Sequence, residues 1–529
     1  MTSRSLLFNA QTAEEQRLLL QAELDSQKSQ ADRNKMGQFA TPPPLAFDIA
    51  RYLLTLLPEQ SNVRFLDPAF GTGSFYSAVL ATARNRTLHA RGFEIDPHYG
   101  QPAQVLWTNS PLELSLKDFT CQEPDATYNL LICNPPYVRH HHLTAAKKAY
   151  LSSRVLRATG LALSGLTGLY CYFMLLSHEW MQDDGLAAWL VPSEVLDVNY
   201  GRQVKRYLAE QVELLRIHRF DPNDVQFDDA LVSSAVIVFR KRRASKDHAV
   251  HFTYGGTLGH PAVERNIALA QLSGQGKWSN LALHGEKVAH SGLRIGDIFQ
   301  VKRGLATGSN EFFILSPEKI DQHGLPCELF RPILPSARYV KDLEVKADEH
   351  GNPMLERRLF LLDTSLNELE IKRRYPKLWK YLQTGIDDVA KRYLCRTRKP
   401  WYSQETRPAP PILCTYMGRG DKVRPFRFIL NHSLATATNV YLMLYPRESI
   451  KPIIEKYPTL IRTVWEMLNN VGVEQLLGEG RVYGGGLHKL EPKELANLDI
   501  SQLTSILGAY VTDKQKGGHG TLDFELFDT

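Results

Sequence analysis

The sequence lacks the features that mark membrane, secreted and zinc-stabilised proteins. No apolar run approaches the roughly 20 residues of a membrane-spanning helix, and the stretch Met1–Phe8 lacks the long apolar core of a secretory signal. The six cysteines are scattered and form no C-x-x-C pair, a pattern typical of a reducing compartment and of proteins without structural zinc. We therefore expect a soluble, cytoplasmic protein that needs neither a membrane nor a metal ion.

The sequence also has little excess charge and no unusual composition. Lys and Arg number 63 against 57 Asp and Glu, which gives a formal net charge of +6 and a pI of about 8.8. This mild basicity is compatible with nucleic-acid binding but is not evidence for it alone. With 529 residues, 43% of them hydrophobic, the chain is long enough for two or three domains with cores of their own.

The most informative stretch is the short motif Asn134–Tyr137, with the sequence Asn-Pro-Pro-Tyr. It follows the apolar run Tyr128–Cys133, which is short and bounded by breakers and therefore predicts a buried strand. The prolines end the strand, because they have no N–H for a sheet. An amide, two proline carbonyls and an aromatic ring are then left at the carboxyl end of a strand, where open α/β sheets bind ligands. This group suits a flat molecule with an amino group, and it predicts methyl transfer to an exocyclic amine.

An earlier strand leads into a turn with two glycines. The strand Val63–Asp67 is followed by the turn Pro68–Phe75, whose glycines allow the backbone to approach a ligand closely. The turn is not the G-x-G-x-x-G dinucleotide pattern. Asp67 at its start is poorly placed for a pyrophosphate and well placed for an ammonium group.

Further acidic residues follow the next two segments. The strand Leu88–Ile95 contains Glu94 near its end, where a carboxylate can accept hydrogen bonds from both hydroxyls of a ribose. Asp118 could hold the amino group of an adenine, with Phe119 beside the ring. Thr41 is predicted to be the N-cap of a helix and to face the same ligand. Together these residues predict a pocket for an adenosine that carries an ammonium group, although each acid alone could be a solvated loop residue.

Two loops are candidates for contact with a substrate. Three consecutive histidines, 140–142, are poor chelators without further ligands, so we favour a mobile loop in which Arg139 lies near phosphates. Phe227 lies at a polar hairpin tip and is a candidate aromatic plate facing Tyr137. The alternative for Phe227 is simple packing on the neighbouring domain.

The chain is predicted to have four parts. These are a helical extension at 1–30, a catalytic domain at 31–245, a linker region or short β elements at 246–290, and a second domain at 291–529. The second domain has basic residues interleaved with aromatic ones, as phosphate contact and base stacking both require, although such stretches are often only solvated loops. Its candidate contact residues are Arg398, Lys399, Trp401, Arg419, Lys422, His488 and Lys489.

In the order of these motifs the sequence resembles the γ-class, TaqI-like amino-methylating DNA methyltransferases. The resemblance is good over 31–241 and looser in the second domain. It implies a Rossmann-like α/β sheet, mostly parallel with an antiparallel terminal hairpin, followed by a mixed α/β DNA-recognition domain. It also implies S-adenosylmethionine as methyl donor. The residues that it assigns to the donor are Thr41, Asp67, Ala69, Gly71, Gly73, Glu94, Asp118, Phe119 and Pro136.

The resemblance further implies that the target base is flipped out of double-stranded DNA. The Asn134 oxygen and the Pro135 carbonyl would accept hydrogen bonds from the two N–H groups of the target amine. Tyr137 and Phe227 would stack on the base. A monomer on DNA, with any cognate restriction endonuclease on a separate chain, is expected.

Adenine N6 is the preferred target, and several alternatives stay open. Cytosine N4 offers the same chemistry. A protein-glutamine methyltransferase shares the Asn-Pro-Pro-Tyr motif but would not need the large basic second domain. A fusion with a nuclease is disfavoured, because the only candidate fragment, Glu344-Val345-Lys346, has no convincing upstream partner.

Overall fold

The chain divides into two units. One contains residues Met1–Val288 with Tyr483–Gly485, and the other contains Ala289–Val482 with Gly486–Thr529. The computed structural model describes residues 10–83, 86–221, 224, 226, 233–272, 277–279, 281–284, 292–419, 425–483 and 487–504. Among these residues, no helix is both long enough and apolar enough to cross a bilayer.

The first unit contains nine strands and ten helices within its described residues. The strands are β1 (Val63–Asp67), β2 (Leu88–Phe93), β3 (Leu112–Ser115), β4 (Tyr128–Cys133), β5 (Met181–Pro192), β6 (Glu213–Arg219), β7 (Ser234–Arg240), β8 (Ala249–Gly256) and β9 (Pro261–Ala268). The helices are α1 (Ala10–Ser26), α2 (Gln30–Met36), α3 (Pro43–Leu56), α4 (Ser74–Thr82), α5 (Pro97–Leu106), α6 (Ala145–Thr159), α7 (Leu169–Leu176), α8 (Arg202–Glu210), α9 (Leu269–Leu272) and α10 (Leu281–His284).

All nine strands form one sheet, in the order β3-β2-β1-β4-β5-β7-β6-β8-β9. The first five strands in this order are parallel, and β7 runs antiparallel between β5 and β6. This arrangement confirms the predicted Rossmann-like α/β fold. It also brings the carboxyl ends of β1, β2, β3 and β4 to one edge of the sheet, which is the edge at which such folds bind ligands.

Helices cover both faces of this sheet. One core joins alternate strand residues such as Leu131 and Trp189 to α6, α7 and α8. The other core joins the intervening residues, such as Ile132 and Leu190, to α3, α4 and α5. Every residue of β4 is buried, which explains why a continuous apolar run rather than an alternating one forms the central strand.

Within 246–290, where the sequence predicts a linker region or short β elements, residues 249–256 and 261–268 form two strands. Here β8 pairs in parallel with β6, and β9 pairs antiparallel with β8, so the sheet continues beyond the expected terminal hairpin. In β8 the buried Val250 and Phe252 alternate with more polar residues. This alternation of buried and more polar residues is hard to recognise in the sequence, because the surrounding residues are rich in glycine and histidine. The pairing with β6 shows that the segment is a strand.

The second unit is mixed α/β, as predicted. Its strands are β10 (Phe299–Arg303), β11 (Ile314–Leu315), β12 (Phe330–Leu334), β13 (Glu344–Val345), β14 (Leu359–Leu362), β15 (Ile412–Thr415), β16 (Met417–Arg419), β17 (Phe428–Asn431), β18 (Thr436–Ala437), β19 (Tyr441–Pro446), β20 (Arg481–Tyr483) and β21 (Leu487–Lys489). Its helices are α11 (Ile295–Ile298), α12 (Asn310–Phe313), α13 (Pro317–His323), α14 (Glu368–Arg374), α15 (Pro376–Gln383), α16 (Tyr393–Arg396), α17 (Lys451–Lys456), α18 (Leu460–Asn470), α19 (Val473–Glu479) and α20 (Pro492–Ala496).

Two sheets form most of the second unit. One has the order β10-β19-β15-β17-β13, and the other has the order β11-β14-β12-β18. The first sheet packs against α18 and α20, with Phe428, Leu444 and Val464 in the shared core. Separate cores around Leu361 and Val345 complete the unit.

Candidate active site

A cavity of about 230 Å³ lies at the carboxyl edge of the parallel strands in the first unit. It brings together residues that follow β1, β2, β3 and β4 and that are far apart in sequence. The predicted site residues that line it are Ala69, Gly71, Glu94, Asp118, Phe119, Asn134 and Pro136.

The side chain of Asn134 is held by the segment before α3. Its Nδ2 group donates to the Phe39 carbonyl at 3.0 Å and lies 3.1 Å from the Thr41 hydroxyl. Because a backbone carbonyl can only accept, these contacts fix which end of the amide points toward the chain. The Asn134 Oδ1 atom is buried and has no hydrogen-bond partner among the described residues.

Tyr137 and Gly37 fix the backbone of the motif. The Tyr137 N–H donates to the Gly37 carbonyl at 3.0 Å, and the Tyr137 hydroxyl donates to the Leu190 carbonyl of β5 at 3.2 Å. Gly37 has a φ of 66°, and a Cβ atom added there would lie 2.4 Å from the Tyr137 nitrogen. A glycine is therefore required both by the left-handed conformation and by the close approach of the two chains.

Glu94 joins the turn after β1 to the start of α5. Its two carboxylate oxygens accept the Gly71 and Asp96 N–H groups, each at 2.8 Å. Burial raises the pKa of the Glu94 carboxyl, although the N–H groups of Asp96 and Gly71 act in the opposite direction. The cavity thus has a fixed acceptor where the sequence predicts contact with a ribose.

Asp118 also lines the cavity and is paired with Lys147. The Lys147 Nζ atom lies 2.6 Å from Asp118 Oδ2, and the Thr120 N–H donates to Asp118 Oδ1 at 2.9 Å. Burial acts to raise the pKa of Asp118, but the hydrogen bonds from Lys147 and Thr120 outweigh burial and hold this pKa below its usual value. Sequence reasoning missed Lys147, because a lysine on an exposed amphipathic helix carries no motif.

Three predicted cofactor residues do not line the cavity. Asp67 is 1% exposed and accepts the Ala69 N–H at 3.1 Å. Burial and the neighbouring Glu94 raise the pKa of Asp67 to about 7, against the opposing hydrogen bonds of Ala69 and Cys133. Gly73 packs beside the Phe70 ring. These two residues therefore shape the turn after β1 from behind the wall of the cavity.

The third residue, Thr41, is not the predicted N-cap. Helix α3 begins at Pro43, with Pro42 preceding it, and no side chain caps its first turn. The two prolines displace the helix start by one residue, and the Thr41 hydroxyl lies instead 3.1 Å from the Asn134 amide nitrogen. Thr41 therefore contacts the Asn134–Tyr137 motif directly.

The cavity also contains residues for which the sequence offered no signal. Gln21 and Asp25 of α1, together with Gln38 and Tyr99, line it. Ile95 lines it as well and is 58% exposed, which leaves an apolar surface available next to Phe119. These contributions come from segments that approach the cavity only in the folded chain.

The candidate DNA-contact residues have different environments. Arg139 and Lys399 are exposed. Arg398 donates to the carbonyls of Ala306 and Thr307 at 2.7 and 2.8 Å, so it braces a loop. The Trp401 ring packs against Phe312 and Phe313 beside a core, which argues against base stacking. His488 is 9% exposed, and the Lys489 Nζ atom lies 2.8 Å from Glu491.

Three predicted site residues cannot be placed. Phe227 and Lys422 lie outside the described residues, as does the side chain of Arg419. Their roles stay predictions. Glu344, the fragment weighed as part of a nuclease, is paired with His432 and Arg462. In the described parts of the chain, His, Cys, Asp and Glu do not gather in groups of three that could hold a metal ion.

The strand order and the position of the cavity define a Rossmann-like protein of the methyltransferase type, and comparisons with known families agree. Residues 87–226 match the family described as Eco57I restriction-modification methylase. Residues 279–516 match the C-terminal domain of type II methyltransferase M.Eco57I. The two matched regions lie in the order expected for a catalytic part followed by a second domain.

Relatives extend the similarity along most of the chain. Type II methyltransferase M.XamI of Xanthomonas campestris pv. amaranthicola is 29% identical over 484 residues, covering 89% of this chain and 86% of the relative. Type II methyltransferase M.AccI of Acinetobacter calcoaceticus is 26% identical over 488 residues, covering 88% and 85%. The chain is therefore similar to type II methyltransferases over most of its length.

A solved structure shares the fold. The type IIL restriction-modification enzyme MmeI, determined in complex with DNA, has a TM-score of 0.58 and 14% sequence identity, over 96% of this chain and 75% of MmeI. At this identity the similarity concerns the fold alone.

Proposed function

We propose that this protein transfers a methyl group from S-adenosylmethionine to N6 of an adenine flipped out of duplex DNA. The observation that carries the proposal is the Asn134 side chain, whose buried Oδ1 atom has no hydrogen-bond partner among the described residues. A buried acceptor without a partner is costly. It is explained if an N–H group of the substrate occupies that position during the reaction.

The residues of the cavity fit S-adenosylmethionine. Glu94 would accept the ribose hydroxyls, and Asp118 would accept the adenine amino group beside Phe119 and Ile95, all four of which line the cavity. The turn at 69–71 and Pro136 would contact the remainder of the cofactor. Bound there, the cofactor supplies a methyl group on a sulfonium, which needs no further activation.

The chain's own residues would make the amine a better nucleophile. An exocyclic amine is a poor nucleophile, because its lone pair is delocalised into the ring. Asn134 Oδ1 and the Pro135 carbonyl would accept hydrogen bonds from its two N–H groups. These hydrogen bonds would localise the lone pair toward the methyl group. This is electrostatic stabilisation of developing charge, combined with positioning for in-line attack.

Flipping the base costs a few kcal/mol, and stacking would offset part of that cost. The Tyr137 ring is fixed by its hydroxyl contact with Leu190, so it offers a preformed surface. A stacked base contributes about 1–3 kcal/mol. A weaker fluorescence change from 2-aminopurine at the target in Phe227→Ala would support the second plate, and an unchanged signal with unchanged kinetics would contradict it.

DNA is supported as the substrate by the relatives, which are named type II methyltransferases, and by the match to a restriction-modification methylase. Adenine rather than cytosine rests on the resemblance to adenine enzymes and on Asn, rather than Ser, at the start of the motif.

The decisive test is the product. Purified protein would be incubated with S-adenosylmethionine labelled in the methyl group and with genomic DNA lacking methylation, and the DNA digested to nucleosides for mass spectrometry. We expect N6-methyladenine at one sequence context, which single-molecule sequencing would define. N4-methylcytosine would overturn the choice of base, and label on a glutamine-containing protein but not on DNA would overturn the substrate class.

A further inference from the structure

Helix α1 packs on the first unit with a polar stripe. Four of its residues spaced three or four apart, Glu14, Arg17, Gln21 and Asp25, are partly or fully buried, as is Lys28 just after its end. They lie beside the buried Ala13 and Leu24, whereas Leu18 and Leu19 are 41% and 74% exposed. An ordinary surface helix buries its apolar stripe and exposes its charged one. Burying charged groups is a poor way to gain stability, so the contacts of this stripe are of functional interest.

The first half of the stripe contacts the turn after β1. Arg17 is 1% exposed, pairs with Glu14 at 2.6 Å and donates to the Thr72 hydroxyl at 3.2 Å. The same hydroxyl donates to Gln21 Oε1 at 2.6 Å. Thr72 directly follows Gly71, whose N–H binds Glu94. Helix α1 is therefore bonded to the turn that forms one wall of the cavity.

The second half of the stripe contacts the segment after β2. The Tyr99 hydroxyl donates to Asp25 Oδ1 at 2.8 Å, and the Gln21 amide donates to Asp25 Oδ2 at 2.9 Å. Lys28 pairs with Asp96, which also accepts the Gln38 amide at 2.7 Å. Helix α1 thus spans the two segments that carry the predicted contacts to the cofactor.

We propose that α1 forms a cofactor strap in which Gln21 and Asp25 bind S-adenosylmethionine directly. Both residues line the same cavity as Gly71, Glu94 and Asp118, so a ligand that fills the cavity touches them. The inference rests on the proposed function. Asp25, whose Oδ1 atom also lies 3.7 Å from Arg33 Nη1, adds a carboxylate that can accept hydrogen bonds from the ligand, and the Gln21 amide adds a neutral hydrogen-bonding group beside it.

The strap also couples the binding of the cofactor to the packing of α1 on the rest of the first unit. A ligand in contact with Asp25, Glu94 and Asp118 bridges the strap and the sheet, so it stabilises the docked strap by mass action. The first helix is therefore part of the cofactor site rather than an extension beside it.

The first measurement is the affinity of the full chain for S-adenosylmethionine and S-adenosylhomocysteine by calorimetry. Asp25→Asn removes the inward charge, and Glu23→Gln removes an equal charge from the exposed side of the same helix. A hydrogen bond to a charged group accounts for roughly tenfold or more in affinity. We expect Asp25→Asn to lose at least about that factor for S-adenosylmethionine, and Glu23→Gln to stay within about twofold.

The second measurement uses wild-type protein and needs no variant to fold. Hydrogen exchange would be followed in peptides covering 13–28 and 88–96, with and without S-adenosylmethionine. We expect slower exchange in both segments when the cofactor is added. Protection of 88–96 alone, or Asp25→Asn with wild-type affinity, would overturn the strap.

Failure of the strap and failure of the proposed function are separable. If Glu94→Gln loses cofactor affinity and Asp25→Asn does not, the strap is wrong and the cofactor site stands. If the wild-type chain binds no S-adenosylmethionine, both are wrong.

Discussion

Asn134 uses both ends of its side chain. The amide nitrogen is bound by the chain before α3, and the buried oxygen has no partner among the described residues. In the proposed function this oxygen accepts an N–H group of the substrate. The sequence predicted the oxygen as an acceptor but not the contacts that orient the amide, because the Phe39 carbonyl is 95 residues away in sequence.

Replacing Asn134 with alanine should affect catalysis and leave cofactor binding intact. The variant loses one of the two acceptors for the target amine, and loss of one such preorganised group typically costs about 10²–10³-fold in kcat. Methyl transfer to DNA would be measured at saturating cofactor, with cofactor affinity measured separately. A parallel loss of cofactor affinity would show that Asn134 serves the pocket rather than the reaction.

Asp67 should make stability depend on pH. Its pKa is about 7 in the folded chain and near 3.8 when unfolded, so between these values the folded state holds more protons. The free energy of unfolding therefore falls as pH rises through this window. Asp67→Asn should remove that slope and, at pH 8 without cofactor, should stabilise the protein by at most about 4 kcal/mol.

Thermal unfolding from pH 5 to pH 8 would test this. Asp247→Asn, which removes an exposed carboxylate, is the matched control and should follow the wild type. If the stability of the Asp67→Asn variant depends on pH as steeply as that of the wild type, the pKa of Asp67 is not raised in the folded protein.

At the scale of elements, individual strands and helices could be predicted, but the residue at which a helix begins and the pairing of distant strands could not. The strands β1 and β4 and the helix at Leu169 follow from local apolar patterns with clear breakers. The start of α3 was misplaced because a threonine before prolines resembles a cap. For β8 and β9 the sequence left a linker or short β elements open, because the pairing of β8 with β6 and of β9 with β8 is not visible locally.

The end of α2 offers a matched test of packing against the motif. Gly37 and Gly160 both follow helices and have φ values of 66° and 69°. A Cβ atom at Gly160 would meet nothing within 4 Å, whereas one at Gly37 would meet the Tyr137 backbone. Gly160→Ala should cost only the left-handed strain, roughly 1–2 kcal/mol, and should keep normal methyl transfer.

Gly37→Ala should cost more in stability and should also lower methyl transfer, because the displaced backbone belongs to Tyr137. Chemical denaturation and single-turnover kinetics would compare the two variants. Equal behaviour of the two variants would mean that the contact between Gly37 and Tyr137 does not position the motif.

For the whole molecule, the proposed action on DNA predicts that DNA affinity decreases with salt, because contacts of Lys and Arg with phosphates release counterions. Two neighbouring residues of the second unit allow an effect of charge on DNA binding to be distinguished from an effect on folding stability. Lys399 is exposed, whereas Arg398 binds two backbone carbonyls and Gln404. The two side chains carry the same charge in different environments.

Lys399→Ala should reduce the slope of log Kd against log salt by about 1 and leave thermal stability unchanged. Arg398→Ala should lower the stability of the protein by about 1–3 kcal/mol, because three acceptors lose a charged donor. Fluorescence anisotropy with duplex DNA between 50 and 200 mM salt (the range over which such contacts are resolved) and thermal unfolding would separate the two effects. If the Lys399→Ala variant has the same slope as the wild type, Lys399 does not contact the DNA phosphates.

The sequence by itself determined the strands β1 and β4, the Asn-Pro-Pro-Tyr motif and the acids that follow successive strands, because apolar periodicity and chain breakers act over a few residues. Only the tertiary structure decided which groups meet. The contact of Asn134 with Phe39, the pair formed by Asp118 and Lys147, and the wall formed by α1 all join distant segments. Such contacts depend on how helices and loops pack at the carboxyl edge of the sheet, and no local pattern records that packing.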